Sequence, residues 1–302
     1  MYDLIIIGAG PSGVSASVYA TSRGLKVLVI EKNSVGGIIG GVSTVSHYTA
    51  ITQNETGATF AKRMEEQLLG SDATLTIEEV ISVAFENNTK KVTTTKGVYQ
   101  AKAIIIANGS TAKKLEADGA EKFRGKTFAV NASKTAEKYR GRNMYVIGGA
   151  DGAVKEALYL SKFAKQVTIV CVEEELACIQ EFCDKVKSTS NIVVRPHSSL
   201  TSVKGNEEIE QLVFTDIKTK ETEQISDDGA VVYTYIGLIP NTQMYDCLHT
   251  DNGYLIVNND METSISGVFA VGDICKKAVR QVSTAVNDGT IAGINAFKYL
   301  NK

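Results

Sequence analysis

The sequence predicts an α/β protein with two Rossmann-like dinucleotide-binding folds of the three-layer ββα type. In the first 31 residues, an apolar strand, a glycine-rich turn, a helix and a second strand follow one another. The same succession returns about 140 residues later, from residue 143 to residue 171, and a repeat of one supersecondary unit indicates a duplication. We therefore expect a duplicated dinucleotide-binding fold.

The first unit begins with the short apolar run Leu4–Gly8, which is typical of a buried strand. Helical residues then extend over Pro11–Arg23, and Gly24 is expected to end the helix. Lys26–Glu31 follows as a second strand, which completes a βαβ unit.

The second unit repeats this order, and further apolar or alternating runs predict additional strands and a closing helix. Its strands are Asn143–Ile147 and Gln166–Cys171, joined by the turn 148–153 and a helix to about Ala164. The other predicted elements are strands at Ala103–Ala107, Asn191–Arg195, Ile209–Phe214, Glu221–Ile225, Ala230–Tyr235 and Ile265–Ala270, and a final helix at Val279–Tyr299.

Composition places the chain among globular proteins that are long enough for two domains. Of its 302 residues, 43% are hydrophobic and 22% are charged, and the net charge is −2. This balance gives no electrostatic reason to expect nucleic acid or an anionic membrane as a partner. No apolar run approaches the roughly 18 residues of a membrane span. No basic leader precedes the first strand, so we expect a cytoplasmic protein.

The cysteines argue against a disulfide framework and against a zinc ribbon. There are five, and none of their spacings is CxxC: Cys171, Cys178, Cys183, Cys247 and Cys275. Cys178 and Cys183 lie five positions apart on a predicted helix. That spacing is about 140° around the helix at roughly 100° per residue, so the two are not expected to face one another. A proximity of Cys171 to Cys178 stays open, and no metal site is expected.

The segment GAGPSG predicts a phosphate-binding turn between the first strand and the first helix. Gly8 makes the tight turn, Gly10 lets the backbone approach a pyrophosphate, and Gly13 allows close packing of helix and strand. The pyrophosphate then lies at the helix N-terminus, where free N–H groups and the helix dipole favour an anion. Glu31 ends the second strand, where it can accept hydrogen bonds from a ribose 2′-hydroxyl and repel a 2′-phosphate.

Several stretches resemble the low-molecular-weight thioredoxin reductase family of flavoproteins, along essentially the whole chain. They are GAGPSG, Glu31-Lys32 followed by Gly36-Gly37, AIIIANG, YIGLIPNT, GVFAVGDI and RQVSTAVNDG. The resemblance implies FAD as the cofactor and a homodimer as the assembly. It also implies a discontinuous FAD-binding domain at residues 1–112 and 243–302. An NAD(P)-binding-like domain at 113–242 is inserted into it and, in the family, swings to alternate donor and acceptor at the flavin.

The same resemblance assigns FAD-binding roles to particular residues. In the family, the aspartate matching Asp273 binds the ribityl chain, and the stretch matching Arg280-Gln281-Val282 lies along the flavin ring. A helix N-terminus and an arginine there stabilise the negative charge that a reduced flavin gathers near N1. Asn108 stands where a threonine is usual, and asparagine also accepts turn geometry. The complete set is Gly8, Gly10, Pro11, Ser12, Gly13, Glu31, Lys32, Gly37, Ile38, Val80, Ala107, Asn108, Gly109, Gly272, Asp273, Arg280, Gln281, Val282 and Ala285.

Three departures from the family pattern concern its electron path. The family's CxxC falls on Asn131-Ala132-Ser133-Lys134, which supply no thiol for thiol–disulfide exchange. The second glycine motif carries Ala150 at its second essential glycine, and the methyl group pushes the backbone from a pyrophosphate. Cys171-Val172-Glu173-Glu174-Glu175 replaces the cationic clasp for a 2′-phosphate, so charge repulsion opposes NADPH. NADH is not clearly favoured, and weak nucleotide binding with Glu173 at a ribose is the open alternative.

No catalytic residue is assigned outright, and the candidates are His47 and Cys275. His47 falls where relatives carry an asparagine near the reactive part of the flavin, so it could pass a proton to N5. Its neighbour Tyr48 could instead cover the ring. Cys275 follows Asp273 by two positions, but a single thiol cannot complete a dithiol cycle, so a structural role is expected.

Together these features predict an FAD-dependent oxidoreductase that resembles thioredoxin reductase but lacks its redox-active CxxC and does not depend on NADPH. Ferredoxin or flavodoxin is the expected electron donor, because relatives that dispense with NADPH use ferredoxin. Two alternatives stay open. In one, FAD is a structural or sensing ligand of a non-enzymatic protein that works through a partner. In the other, the chain is an NADH-dependent flavin reductase or oxidase.

Overall fold

The computed structural model describes residues 1–86 and 89–302. The chain forms two compact units, one of residues 1–111 and 239–302 and one of residues 112–238. The first unit is therefore discontinuous in sequence, with the second lying between its two segments along the chain. From the sequence, the expected domain boundaries lie between residues 112 and 113 and between residues 242 and 243.

The helices and strands have the following bounds. The strands are β1 (Tyr2–Ile7), β2 (Val27–Glu31), β3 (Thr74–Ile77), β4 (Val80–Phe85), β5 (Lys90–Thr94), β6 (Val98–Ile106), β7 (Ser110–Ala112), β8 (Asn143–Ile147), β9 (Gln166–Val170), β10 (Ile192–Arg195), β11 (Ser198–Lys204), β12 (Ile209–Asp216), β13 (Thr222–Thr234), β14 (Leu238–Pro240), β15 (Thr250–Asp251), β16 (Tyr254–Leu255) and β17 (Val268–Ala270). The α-helices are α1 (Pro11–Thr21), α2 (Gly57–Leu69), α3 (Ala132–Thr135), α4 (Asp151–Leu160), α5 (Gln180–Ser188) and α6 (Val282–Leu300). Short 3-10 helices occur at Gly37–Gly41, Ala120–Lys122 and Gly272–Ile274.

The first unit has a mixed sheet with the strand order β3-β2-β1-β6-β5-β4, in which β17 also pairs with β6. β3, β2, β1, β6 and β17 run parallel, whereas β4 and β5 form an antiparallel extension. Leu4 and Ile6 belong to the core that α1, α2 and α6 share, and Ile5 and Ile7 belong to a second core. Because both faces are buried, β1 is a continuous apolar run.

Glycines on α6 allow this helix to pack closely against α1. A Cβ atom at Gly289 would overlap the carbonyl oxygen of Ser12, and one at Gly293 would lie 2.7 Å from that of Ala16. The two helices therefore approach one another at backbone distance. This contact brings the N-terminal half of α6 beside the first turn of α1, where the first glycine motif lies.

The second unit has a six-stranded sheet in the order β10-β9-β8-β13-β12-β11. β10, β9, β8 and the end of β13 are parallel, and β13, β12 and β11 form an antiparallel meander. The prediction of two strands at Glu221–Ile225 and Ala230–Tyr235 is wrong, because the single strand β13 spans this region. Its first half pairs with β12 and its last residues pair with β8, so a register shift between Ile209 and Gln211 of β12 replaces the expected break.

Helix boundaries also differ from the predictions, and α1 ends at Thr21 rather than at Arg23. α4 ends at Leu160 rather than near Ala164. α6 begins at Val282 rather than Val279, because Gln281 has extended backbone angles and is the N-cap residue. Among the described residues, no helix combines the length and apolar character that crossing a bilayer requires.

Candidate functional site

The first glycine turn brings β1, β6 and α1 into close contact. Gly8 has a φ of 103°, in the region that favours glycine, and a Cβ atom there would lie 2.5 Å from the carbonyl oxygen of Ala107. A Cβ atom at Gly13 would overlap the carbonyl oxygen of Gly8. Both positions therefore need glycine for steric reasons alone.

Gly10 lies in open space at the start of α1. It is the N-cap residue, with φ −72° and ψ −177°, and Pro11 occupies the first turn of the helix. A Cβ atom at Gly10 would have no heavy atom of the described residues within 4 Å, and the same holds for Gly109. A Cβ atom at Gly37 would lie 3.4 Å from the Cα of Gly10. The free N–H groups of α1 thus adjoin a space that can admit a phosphate group.

Glu31, at the end of β2, is fixed against the same turn. Its Oε2 accepts a hydrogen bond from the N–H of Ala9 at 2.8 Å, and its Oε1 accepts one from the N–H of Asn33 at 3.0 Å. The carboxylate is thereby held beside the glycine motif. Lys32, the next residue, is exposed and forms an ion pair with Glu79 at 2.6 Å.

The turn Ala107–Gly109 is tied to residues of the second segment of the unit. Nδ2 of Asn241 donates to the carbonyl oxygen of Asn108 at 2.7 Å, and the N–H of Asn241 donates to that of Gly109 at 3.0 Å. The hydroxyl of Tyr245 donates to Oδ1 of Asn108 at 3.3 Å. Sequence reasoning alone does not identify Asn241, although it is the asparagine of the stretch YIGLIPNT.

Gly272 and Asp273 form the turn after β17. Gly272 has a φ of 78°, and a Cβ atom there would lie 2.6 Å from Oγ of Ser12. Its N–H donates to Oδ2 of Asp288 at 2.9 Å. Asp288 is 6% exposed and also pairs with Lys277. Asp288 is absent from the predicted set, and the available signal was an acidic residue within the stretch RQVSTAVNDG.

Arg280 precedes α6 and lies over an aromatic ring. Its guanidinium carbon is 3.9 Å from the ring centroid of Tyr254, and Nη2 donates to the carbonyl oxygen of Cys275 at 3.4 Å. The next residue, Gln281, begins the helix, with its N–H donating to Oγ1 of Thr284 at 3.1 Å. Nε of Arg280 is buried and has no hydrogen-bond partner within the described part of the chain. Buried donors normally have partners, so this N–H fits an acceptor that a bound group would supply.

Asp273 is a carboxyl group in a partly enclosed, cationic setting. Burial raises the pKa of Asp273, and the positive charges of Lys277 and Arg280 oppose that rise. A carboxylate is an acceptor with room for several hydrogen bonds. Asp273 therefore suits the hydroxyl groups of a polyol chain such as the ribityl group.

The remaining predicted FAD contacts differ in position. Ala285 is buried on α6, and its Cβ is 4.0 Å from the Cβ position of Gly272. Ile38 is 51% exposed on the 3-10 helix that begins at Gly37. Val80 begins β4 and packs against the second core of the first unit. Gly272 thus adjoins Ser12 of the first glycine motif and Ala285 adjoins Gly272, whereas Val80 packs against the second core.

The two catalytic candidates differ in accessibility. His47 is exposed, and its Nδ1 lies 2.9 Å from Oγ of Ser46. Tyr48 packs edge-on against Phe60, with 5.5 Å between the ring centroids. Cys275 is 1% exposed, and burial raises the pKa of its thiol to about 12. A neutral, enclosed thiol is a poor nucleophile, which supports a structural role for Cys275.

The second glycine turn repeats the backbone of the first but carries a methyl group. Gly148 has a φ of 130°, and a Cβ atom there would overlap the carbonyl oxygen of Tyr235. Ala150 is the N-cap residue of α4, with φ −87° and ψ 174°, close to the angles of Gly10. Ala150 is exposed at the helix N-terminus. Its methyl group therefore takes up space that Gly10 leaves free in the first unit.

An acidic side chain adjoins this second turn. A Cβ atom at Gly149 would lie 2.8 Å from Cβ of Cys171 and 3.4 Å from Oε2 of Glu173. Gly149 corresponds in its motif to Ala9, whose N–H donates to Glu31 in the first unit. Glu173 thus approaches the second turn much as Glu31 approaches the first.

The stretch that stands in place of the family's CxxC forms an ordinary helix start. Asn131 is the N-cap residue of α3. Its Oδ1 accepts hydrogen bonds from the N–H of Lys134 at 3.1 Å and from Oγ of Ser133 at 2.8 Å. These contacts cap a helix, and none of the side chains contains sulfur.

The prediction that Cys178 and Cys183 do not face one another is wrong. Their Sγ atoms lie 2.9 Å apart. The prediction places both residues on one helix, but α5 begins at Gln180, and its N-cap residue Ile179 has φ −61° and ψ 150°. Cys178 therefore precedes the helix, and the angular spacing of helical residues does not apply to it.

Comparisons with known proteins extend over nearly the whole chain. The family model of pyridine nucleotide-disulphide oxidoreductases matches residues 2–289. A thioredoxin reductase from Peptoclostridium acidaminophilum is 34% identical over an alignment of 306 positions, and the match covers 99% of this chain and 97% of the relative. A 34.2 kDa protein in the rubredoxin operon of Clostridium pasteurianum is also 34% identical, with the same two coverages of 99% and 97%. The crystal structure of Lactococcus lactis thioredoxin reductase is 31% identical with a TM-score of 0.94, and the match covers 100% of this chain and 99% of that one.

These similarities confirm two predictions. The fold is the two-domain, Rossmann-like α/β fold of thioredoxin reductases. FAD is the cofactor, because the thioredoxin reductase family consists of FAD-binding flavoproteins. The chain therefore belongs to the pyridine nucleotide-disulphide oxidoreductase family, as a thioredoxin reductase-like flavoprotein oxidoreductase that binds FAD.

Proposed function

We propose that this flavoprotein takes its electrons from a small electron-transfer protein, such as ferredoxin or flavodoxin, and uses neither NADPH nor a CxxC dithiol. The contrast between Gly10 and Ala150 carries the proposal. The two residues cap helices with nearly the same backbone angles, but Gly10 leaves its helix N-terminus open. The methyl group of Ala150 keeps a pyrophosphate from the N–H groups of α4.

The charges near the second turn support the same conclusion. Glu173 lies beside Gly149, and Glu174 and Glu175 follow it on an exposed segment. Like charges repel one another, and a 2′-phosphate beside this segment would face several carboxylates. Binding of the 2′-phosphate of NADPH is therefore unfavourable at this place. An electron-donor protein would reduce the flavin without any nucleotide bound here.

The first unit supplies the residues that we assign to FAD. Gly10 and the N-terminus of α1 hold the pyrophosphate, and Glu31 accepts hydrogen bonds from the adenosine ribose. Asp273 accepts hydrogen bonds from the ribityl chain. Arg280 and the N-terminus of α6 stabilise negative charge near N1 of the ring. The flavin, when bound, supplies the capacity to accept and release electrons, and the protein holds and orients it.

The family's relay from flavin to disulfide has no counterpart at the usual place. Asn131 and Lys134 carry no thiol, and Cys275 is enclosed, with a raised pKa. Neither place supplies the thiolate that exchange with a disulfide requires. In the proposed function, electrons therefore do not leave the flavin through a dithiol at either of these places.

Anaerobic stopped-flow mixing with the FAD-loaded protein tests this function. We expect reduced ferredoxin or reduced flavodoxin to bleach the flavin absorbance, and NADPH to leave it unchanged. The matched variant is Ala150→Gly, which should speed reduction by a nicotinamide nucleotide and leave the rate with the protein donor unchanged. Rapid bleaching of the parent protein by micromolar NADPH would overturn the proposal.

A second candidate function is that of an NADH-dependent flavin reductase or oxidase. Glu173 favours it, because an acidic residue beside a glycine turn can bind a ribose with a free 2′-hydroxyl. The same mixing experiment separates the two functions. Bleaching by NADH, without bleaching by NADPH and with loss of the effect in Glu173→Ala, would select this second function.

The homodimer is also part of the proposal. It rests on the similarity to thioredoxin reductases over nearly the full chain. Sedimentation equilibrium of the FAD-loaded protein checks it, and a monomer at micromolar concentration would contradict it. The cytoplasmic location stays a prediction from the sequence.

A further inference from the structure

We propose that Cys178 and Cys183 form a redox-active dithiol, which closes to an intramolecular disulfide by exchange with a disulfide substrate. Their Sγ atoms lie 2.9 Å apart, and Sγ of Cys183 also donates to the carbonyl oxygen of Cys178 at 3.7 Å. A disulfide bond is about 2.05 Å long, so the two sulfurs need to approach by only about 0.9 Å. Small side-chain rotations are sufficient for this movement.

The other three cysteines differ from this pair in accessibility. Cys171 and Cys275 are buried, and Cys247 is exposed. Cys178 and Cys183 are both half-buried. A substrate sulfur can therefore reach the pair, while the surrounding protein holds the two thiols together.

Backbone contacts hold the chain on both sides of Cys178. The N–H of Ile179 donates to Oδ1 of Asp151 at 2.8 Å, and Ala177 forms a β-bridge with Ala150. Phe182, within α5, is buried in the core of the second unit. Because these anchors already order the segment, closing the bond costs little further conformational entropy. The arrangement thus favours one internal disulfide over two separate adducts.

The exchange balances with a disulfide of the form R–S–S–R as the oxidant. The thiolate of Cys183 attacks one substrate sulfur, which forms a mixed disulfide and releases RS⁻. Cys178 then attacks the sulfur of Cys183 and releases a second RS⁻. Two electrons pass from the dithiol to the substrate, and the two thiol protons end on the released thiols.

The order of attack follows from the surroundings of the two sulfurs. Burial and the hydrogen bond with Cys183 raise the pKa of Cys178 to about 12. Cys183 lies in the first turn of α5. Because the raised pKa disfavours the thiolate of Cys178, we assign Cys183 as the attacking thiol and Cys178 as the resolving thiol.

Thiol trapping in glutathione buffers tests the proposal on the FAD-loaded full chain. The protein is equilibrated at graded ratios of oxidised to reduced glutathione, quenched with acid, alkylated with N-ethylmaleimide in denaturant and digested with trypsin. Cys171, Cys178 and Cys183 fall in one tryptic peptide, from Gln166 to Lys185. Fragmentation of this peptide locates the linked sulfurs. The readout is independent of the electron donor of the flavin.

As the proportion of oxidised glutathione rises, we expect two alkylation sites to disappear together in a single transition. The new disulfide should link Cys178 to Cys183, and Cys171 should stay alkylated. Cys171→Ser is the control and should keep the transition. Cys183→Ser should abolish it, with the flavin spectrum as a check that this variant is folded. A link from Cys171, glutathione adducts in place of a link, or full alkylation of the parent protein at every ratio would overturn the proposal.

Discussion

Oδ2 of Asp288 accepts a hydrogen bond from the backbone N–H of Gly272 at 2.9 Å, which ties α6 to the turn after β17. The same carboxylate pairs with Lys277, whose side chain is mostly buried. Asp273 directly follows Gly272, so this contact positions the carboxyl group that we assign to the ribityl chain. A buried carboxylate about two turns into α6 thus organises this end of the site.

Replacing Asp288 by alanine should destabilise the protein and weaken its hold on FAD. The change leaves the N–H of Gly272 and the ammonium group of Lys277 without this partner, at a cost of about 2–3 kcal/mol. We expect a lower melting temperature by circular dichroism and an earlier release of flavin fluorescence on heating. Asp288→Asn keeps an oxygen that can accept the hydrogen bond from Gly272. Its melting temperature should therefore lie between those of Asp288→Ala and the parent protein. Equal melting of Asp288→Ala and the parent would show that the contact is dispensable.

Two glycine substitutions should impair the protein in different ways, one through FAD binding and the other through folding. Gly10→Ala puts a methyl group into open space with a compatible φ, so the apoprotein should keep its melting temperature. Its affinity for FAD should fall about ten-fold or more, as expected for loss of a hydrogen bond to a charged group. Gly13→Ala overlaps the carbonyl oxygen of Gly8, so this variant should fold poorly even without FAD. Calorimetric titration with FAD makes the comparison, and full FAD affinity in Gly10→Ala would refute the phosphate assignment.

The first glycine turn could be predicted because its requirements are local. Gly8 and Gly13 meet one another within a single βαβ unit, so their spacing in the sequence carries the geometry. The role of Asp288 depends instead on Gly272, and that of Asn241 depends on Asn108. These are contacts between residues far apart in the chain, and no local spacing encodes them.

Predictions failed where tertiary structure sets the bounds of an element. Ile179 is extended, so α5 begins after Cys178, and this reverses the expected separation of Cys178 from Cys183. β13 continues past Gly229, because its two halves pair with different strands. In both regions the residue types alone are compatible with either local structure.

Arg280→Met should make the flavin harder to reduce. The guanidinium group lies over Tyr254 with a buried Nε that lacks a partner in the described residues, and we assign it to the charge near N1. Loss of about 1.4 kcal/mol of this stabilisation corresponds to a fall of about 30 mV in the reduction potential of a two-electron couple. Lys276→Met removes an exposed cation nearby and should leave the potential unchanged. Spectroelectrochemical titration measures both, and equal potentials for Arg280→Met and the parent would remove Arg280 from this role.

Glu55 links the start of α2 to the stability of the protein in acid. It is buried, and it accepts hydrogen bonds from Thr59 and from Thr52, the latter at 2.7 Å, and pairs with Arg63. The hydrogen bonds from Thr59 and Thr52, followed by the contact with Arg63, lower the pKa of Glu55 from 4.5 to about 2. The folded protein therefore binds a proton here at lower pH than the unfolded chain does.

The sign of the pH dependence follows directly. The stabilisation from Glu55 is complete above about pH 4.5 and is lost as the pH falls towards about 2, because the unfolded chain takes up the proton first. Glu55→Gln should therefore be less stable than the parent near neutral pH, and the difference should shrink in acid. Denaturant unfolding at a series of pH values measures this, with the exposed Glu65→Gln on the same helix as control. A constant difference between Glu55→Gln and the parent across the acidic range would show that Glu55 does not titrate in this way.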